Sequence, residues 1–234
     1  MTGLTDILLS FSTLTILEMI LGIDNLVFLA ILSQKLPKHQ QKRARQFGLT
    51  LAWVSRLLLL ASAIWLSRLT TPLFHIFEMG ISGRDLFLFA GGLFLLAKAT
   101  QEIHSELDIN PHKKTIKVSA RQFGWIIIQI ALLDIIFSLD SVLTAIGLTQ
   151  NFWVMASAIT IAILAMLFAS EPLSAFVEKH PSIRMLALSF LILIGMVLIA
   201  DAFEFHIPRG YVYFAMGFSL MVECLNLIRV KKRS

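Results

Sequence analysis

Long apolar segments, each close to the length of a membrane span, constrain this sequence more than any other feature. A helix needs about 20 mostly apolar residues to cross a hydrocarbon core about 30 Å thick. Seven segments approach that length, and the third and sixth are expected to be short for full spans: residues 7–32, 47–69, 86–103, 125–148, 152–169, 185–200 and 211–230. Apolar residues run continuously through each segment, whereas barrel strands alternate. The sequence therefore predicts an all-α transmembrane fold of about seven helices.

Composition supports the membrane class. Hydrophobic residues make up 57% of the chain and charged residues 15%, against about 25% charged residues in soluble domains. The net charge of +5 does not point to nucleic acid, because the basic residues lie in short loops between apolar segments. The lipid bilayer is the expected partner. Cys224 is the only cysteine, which excludes an internal disulfide and a thiolate metal cluster.

The positive charge alternates from loop to loop. The first, third and fifth loops and the C-terminal tail contain most of the 20 Lys and Arg residues. Loops rich in Lys and Arg stay in the cytoplasm. With seven spans, this places the N-terminus outside and the C-terminus in the cytoplasm.

Two acidic motifs repeat inside the spans. Residues 17–25 (LEMILGIDN) align without a gap on residues 133–141 (LDIIFSLDS), and residues 92–97 weakly resemble 195–200. Three spans per copy would invert the second copy relative to the first, as in many transporters. We predict an inverted 3+3 repeat in one transmembrane domain, residues 1–234, with repeat one over about 5–105, repeat two over about 123–205 and a seventh helix over about 211–230.

Carboxylates within a bilayer need compensation, since each costs about 2.5–3.5 kcal/mol at the centre of a span. Residues six apart on a regular helix diverge by about 120°, so a break near Gly22 and Ser138 would let the acids of each motif converge. The resulting oxygen ligands suit Mn²⁺, Mg²⁺ or Ca²⁺. The predicted ligands are Glu18, Asp24, Asn25, Asp134, Asp140 and Ser141.

Three further polar residues within spans are candidates for supporting or gating roles. Arg56 lies deep in the second span, which favours pairing with a central acid. Lys98 lies late in the third span, where a long side chain can also extend to the interface. Glu223 could extend the pathway or contact a partner helix, including one from a second copy of the chain.

The run EMILGIDN, the following basic segment QQKRAR and the later FSLDS resemble the TerC family, and the similarity covers nearly the whole chain. That family comprises seven-span membrane proteins linked to tellurium resistance and, in several members, to Mn²⁺ export, and it is grouped with the LysE-type exporter superfamily. The resemblance implies a protein of the bacterial cytoplasmic (inner) membrane. It also implies that the six predicted ligands line a cation pathway.

These observations lead to a functional hypothesis: a secondary transporter that exports a divalent cation, with Mn²⁺ favoured, through a carboxylate-lined site near the midplane. Proton antiport is a natural form of coupling, since no P-loop for nucleotide hydrolysis is present. No permanently bound cofactor is expected. The alternative is a membrane partner that delivers metal to secreted enzymes or organises a membrane complex. An intramembrane aspartyl protease would need a Gly-x-Gly-Asp motif, which is absent, so we expect no enzyme.

Overall fold

The computed structural model describes residues 3–62, 72–76, 79–107, 120–149 and 151–231. These residues form seven helices and one short two-stranded sheet. In chain order the elements are α1 (Leu4–Ser33), α2 (Lys38–Ala61), β1 (Pro72–Ile76), β2 (Met79–Ser82), α3 (Gly83–Leu107), α4 (Ala120–Leu148), α5 (Phe152–Lys179), α6 (Pro181–Ala202) and α7 (Arg209–Lys231). The predicted helical membrane fold is confirmed, and the small sheet before α3 is an unpredicted addition.

Five of these helices are long and apolar enough to cross a membrane: α1, α3, α5, α6 and α7. The expectation that the third and sixth spans are short is wrong, because α3 has 25 residues and α6 has 22. Both helices continue through polar residues that the hydropathy pattern treats as boundaries. In α4, the stretch Phe123–Leu139, whose side chains are all described, is also apolar and helical.

The second helix differs most from its predicted span. It begins at Lys38, directly after Pro37 at the N-cap, and therefore includes the basic residues that hydropathy assigns to a loop. The carbonyl oxygen of Pro37 accepts a hydrogen bond from the backbone N–H of Gln41 at 3.2 Å, as the carbonyl of an N-cap residue does. The predicted end of this span, residues 63–69, lies outside the described residues.

The chain divides into two compact units, and the first comprises Met1–Pro72 and Thr115–Phe176. In this unit α1, α2 and α4 pack against one another. Helix α2 also reaches α5, because Trp53 Nε1 donates a hydrogen bond to Thr160 Oγ1 at 3.0 Å. The first unit contains both acidic motifs.

The second unit comprises Leu73–Lys114 and Val177–Ser234. Its centre is the pairing of α3 with α6, and α7 packs on α6. A Cβ atom added to Gly92 would lie 2.7 Å from the carbonyl oxygen of Gly195, so these glycines allow a close helix crossing. The two segments with weak sequence similarity thus meet at this crossing.

Helices α3 and α6 are antiparallel. At one end of the pair, Arg184 near the start of α6 binds Glu106 near the end of α3 at 3.0 Å. Toward the other end, the rings of Phe89 and Phe203 meet edge to face with centroids 5.7 Å apart. Successive crossings of a bilayer in opposite directions require this arrangement of the third and sixth spans.

Large apolar side chains cover much of the surface of the helices. Phe168 of α5 is 79% exposed and Phe214 of α7 is 75% exposed. In water such surfaces would drive association, whereas in a bilayer they face acyl chains. Contact with lipid therefore follows from the helices themselves.

Candidate functional site

A buried arginine lies between two buried carboxylates in the first unit. Arg56 of α2 binds Glu18 of α1 through Nη1 at 2.5 Å, and binds Asp134 of α4 through Nη2 at 2.9 Å and Nε at 3.3 Å. Glu18 and Arg56 are each 2% exposed and Asp134 is 5% exposed. The predicted pairing of Arg56 with a central acid is confirmed, and it extends to both motifs.

Neutral side chains complete the hydrogen bonding of Asp134. Ser55 Oγ and Ser138 Oγ each donate to Asp134 Oδ2 at 3.1 Å, and Asn25 Nδ2 donates to Oδ1 at 3.3 Å. Together with Arg56, four side chains therefore donate hydrogen bonds to this one carboxylate. Sequence reasoning missed Ser55, because a lone serine in a span carries no signal beyond its position next to Arg56.

The contacts between the two motifs are reciprocal. Asn25, which ends the first motif, binds the first acid of the second, Asp134. Ser141, which ends the second motif, lies near Glu18, the first acid of the first motif, and its hydroxyl donates to the Ser138 carbonyl at 3.2 Å. This pairing requires α1 and α4 to run antiparallel. It is the arrangement expected if an approximate two-fold axis relates the motifs.

The two motif helices are continuous, and the predicted breaks near Gly22 and Ser138 are wrong. Gly22 lies against the side chain of Met166 on α5, so it permits close packing rather than a kink. Ser138 remains helical and donates one turn back to Asp134. Glu18 and Asp134 are compensated by side chains from neighbouring helices, so these two acids need no freed backbone carbonyl.

The continuous helix keeps Asp24 away from this cluster. On a regular helix it points about 120° from Glu18, and within the described part of the chain its carboxylate has no hydrogen-bond or ion-pair partner. The backbone of Asp140 belongs to α4, while its side chain lies outside the described structure. Four of the six predicted ligands thus come together: Glu18, Asn25, Asp134 and Ser141.

The described residues contain no group of three or more His, Cys, Asp or Glu side chains that could hold a metal ion. The cluster instead has two acids with Arg56 between them. When both acids are ionised, the three residues carry one net negative charge. The geometry is thus a buried anionic site with a cation from the protein already in place.

A small cavity adjoins the cluster. It has a volume of about 20 Å³ and is lined by Asn25, Asp134 and apolar residues of α1, α2 and α4. That volume suffices for about one water molecule. Asn25 Oδ1 is buried and accepts no hydrogen bond from the residues the structure describes. An unsatisfied buried oxygen beside a carboxylate favours a small donor or a cation.

The other two candidate residues lie in the second unit. Lys98 Nζ donates to Gln101 Oε1 at 3.1 Å, and Asn226 Nδ2 lies 3.5 Å from Glu223 Oε2. Each contact stays within one helix. Roles for Lys98 and Glu223 in a cation pathway stay predictions.

Comparisons with known proteins agree with the sequence motifs. Residues 4–234 match the protein-family model described as "Integral membrane protein TerC family". The chain is 53% identical over 224 residues to the UPF0053 inner membrane protein YgdQ of Escherichia coli (strain K12), covering 96% of this chain and 94% of the relative. A UPF0053 protein of Haemophilus influenzae is 48% identical over 219 residues, covering 94% and 92%.

A longer relative matches in part of its length. The UPF0053 inner membrane protein YoaE of Escherichia coli (strain K12) is 48% identical over 216 residues, which cover 92% of this chain and 42% of that protein. No solved structure matches the chain.

Proposed function

The chain belongs to the TerC family of integral membrane proteins, and from this premise we propose that it is a multi-pass secondary transporter of cations in the bacterial inner membrane. The names of its relatives, which include inner membrane proteins, support the location. The observation that carries the transport proposal is the buried pair of acids, Glu18 and Asp134, which share Arg56.

Membrane helices rarely carry such acids without a function. Carboxylates within spans are costly and mark ion or proton pathways. A purely structural pair would be neutral with one acid and one arginine, whereas this cluster has a second acid. The additional negative charge favours a passing cation or a proton.

The chemistry of the site favours a hard divalent cation, with Mn²⁺ as the leading candidate. Carboxylate, amide and hydroxyl oxygens of Glu18, Asp134, Asn25 and Ser141 meet here, and such oxygens suit Mn²⁺, Mg²⁺ and Ca²⁺. We favour Mn²⁺ among these ions, and an outward direction of transport, because several members of the TerC family are linked to Mn²⁺ export. Protonation of an acid after the cation leaves would couple export to proton entry.

Transport by the purified full-length chain in proteoliposomes tests this proposal. We expect Mn²⁺ flux, followed with a trapped fluorescent indicator, that responds to an imposed pH gradient. Asp134→Asn should reduce the flux at least about tenfold, since loss of a close charge alters binding to a carboxylate site on this scale. Glu171→Gln is the control, because its carboxylate is largely exposed.

Two results would count against transport. The parent chain could leave Mn²⁺ in place under every gradient, which would favour the metal-delivery alternative. Asp134→Asn could instead transport at the rate of the parent chain, which would separate the buried acids from the pathway.

A further inference from the structure

We propose that the guanidinium of Arg56 is an internal substitute for the transported cation, so that Arg56 and the cation occupy the Glu18–Asp134 pair in turn. Departure of Arg56 would then release α2 from α1 and α4. This inference rests on the proposed function, since it assigns a regulator to the same site.

The contacts of Arg56 indicate that it and a cation cannot occupy the site together. Three of its nitrogen atoms bind the two acids, and the atoms contacted are Glu18 Oε2 and Asp134 Oδ1. These are oxygens that a small cation between the acids would also need. Two positive charges at contact distance in a buried site repel strongly. Arg56 and a dehydrated cation therefore exclude each other.

The charges of the cluster indicate which cation replaces Arg56 most favourably. With Arg56 in place, the ionised acids leave one net negative charge. A monovalent cation in place of Arg56 reproduces that charge, whereas a divalent cation neutralises the pair. Because buried charge is costly unless it is compensated, the exchange favours a divalent cation over Na⁺ or K⁺.

The position of Arg56 on α2 links this exchange to a helix. Arg56 and Ser55 connect α2 to α4, and Arg56 also connects it to α1. Separate contacts connect α2 to α5: Trp53 to Thr160, and Arg45 Nη1 to Ser174 Oγ at 3.3 Å. Loss of the Arg56 contacts would thus loosen α2 from α1 and α4 while its attachment to α5 remains.

Small residues give α2 little side-chain interlocking on the cavity side. Gly48 and Ala52 line the cavity beside Asp134. A Cβ atom on Gly48 would lie 2.8 Å from both Leu29 Cδ1 and Ile130 Cγ2. The side chains of α1 and α4 therefore close over the backbone of α2 at this level. Movement of α2 away from them would enlarge the cavity beside Asp134.

Mn²⁺ binding by the purified full-length chain tests the exchange, with calorimetry to obtain Kd. Arg56→Gln removes the competing charge and should tighten Mn²⁺ binding by about tenfold or more, the scale on which one neighbouring charge changes proton binding to a carboxylate. Flux in proteoliposomes should fall in the same variant, because nothing replaces the departing cation.

Two further variants make the result specific. Arg45→Gln removes another buried arginine of α2, whose side chain donates to Ser174 rather than to the acids, and should leave the Kd for Mn²⁺ within about twofold of the parent value. Arg56→Lys keeps the charge but loses the planar fork that contacts both acids. It should bind Mn²⁺ several-fold tighter than the parent chain, and it serves if Arg56→Gln does not fold.

Mn²⁺ affinities of the Arg56 variants that do not exceed that of the parent chain would overturn this inference. Weaker or unchanged Mn²⁺ binding in both Arg56 variants would make Arg56 a positioning residue that holds the acids for the cation. Transport that still depends on Asp134 would then leave the proposed function standing. Absence of Mn²⁺ binding and flux in the parent chain would overturn both proposals together.

Discussion

The carboxylate of Asp134 illustrates how single residues replace water within the first unit. It accepts two hydrogen bonds from Arg56 and one each from Asn25, Ser55 and Ser138. A buried ion is costly unless its lone pairs are satisfied in this way. The same bonds hold the side chains of α1, α2 and α4 in fixed positions. Stability and preorganisation of the site therefore have one origin.

Asp134→Ala should lower the free energy of unfolding by about 3–5 kcal/mol, the usual loss when one partner of a buried ion pair is removed. Arg56 would retain Glu18 alone, and the Ser138 hydroxyl and the Asn25 amide would lose their acceptor, whereas Ser55 keeps the carbonyl of Ala52. Urea or thermal unfolding in detergent micelles measures the change.

The exposed pair of Lys42 and Glu171, 3.2 Å apart with side chains 63% and 64% exposed, provides the matched control. Glu171→Ala should cost no more than about 1 kcal/mol. Equal losses in Glu171→Ala and Asp134→Ala would mean that the buried cluster contributes no special stability.

At the scale of elements, α2 combines buried apolar residues, such as Leu49, Ala52 and Leu60, with polar side chains that bind neighbouring helices. It lacks the uniform apolar surface of the five helices that qualify as spans by length and composition. Its neighbours hold it through Arg45, Trp53, Ser55 and Arg56. Among these contacts, those of Arg56 with Glu18 and Asp134 are the ones that a bound cation would replace. We therefore assign the moving part of the cycle to α2.

The pair of α3 and α6 is held in the opposite way, by close backbone contact, and Gly92→Ala tests it. The added methyl would lie 2.6 Å from Ile199 Cγ1 and 2.7 Å from the carbonyl oxygen of Gly195. Because the carbonyl belongs to the backbone, the helices must separate. We expect a loss of about 1–3 kcal/mol, typical of overpacking, measured by thermal unfolding in micelles.

Gly217→Ala on α7 is the control for Gly92→Ala, since nothing lies within 4 Å of an added Cβ there. It should be neutral or stabilise the helix by up to about 1 kcal/mol, the difference in helix propensity. A Gly92→Ala protein as stable as the parent chain would show that the α3–α6 crossing can accommodate a methyl group.

For the whole molecule, the pairing of helix ends agrees with strict alternation across the bilayer. The start of α2 meets the end of α5 through Lys42 and Glu171, and the end of α3 meets the start of α6 through Glu106 and Arg184. Each pair joins ends that the charge pattern assigns to one side of the membrane. Which side faces the cytoplasm rests on the positive-inside rule.

Labelling of single cysteines tests that orientation, and Cys224→Ser removes the one native cysteine. Phe205 lies just after α6, and its side chain is 72% exposed. In that background, the cysteine introduced by Phe205→Cys should react with an impermeant maleimide in intact cells. Lys42→Cys should react only after the membrane is permeabilised. The reverse pattern would place the C-terminus outside.

Much of the fold and part of the site could be predicted from the sequence. The helices, the membrane class and the pairing of Arg56 with central acids follow from local composition and from the cost of charge in lipid. The helix breaks at Gly22 and Ser138 were predicted wrongly, because spacing alone cannot show that Ser55 and Arg56 on another helix satisfy Asp134. The repeat boundaries and Asp140 as a ligand stay predictions.

The sequence by itself determined that this chain forms apolar helices with two related acidic motifs, because hydropathy is a sum over neighbouring residues and needs no knowledge of packing. Only the tertiary structure decided that Glu18 and Asp134 share Arg56 while Asp24 points elsewhere. That outcome depends on how each helix is rotated about its axis. Each residue turns a helix by about 100°, so one step in register would exchange the side chains that meet.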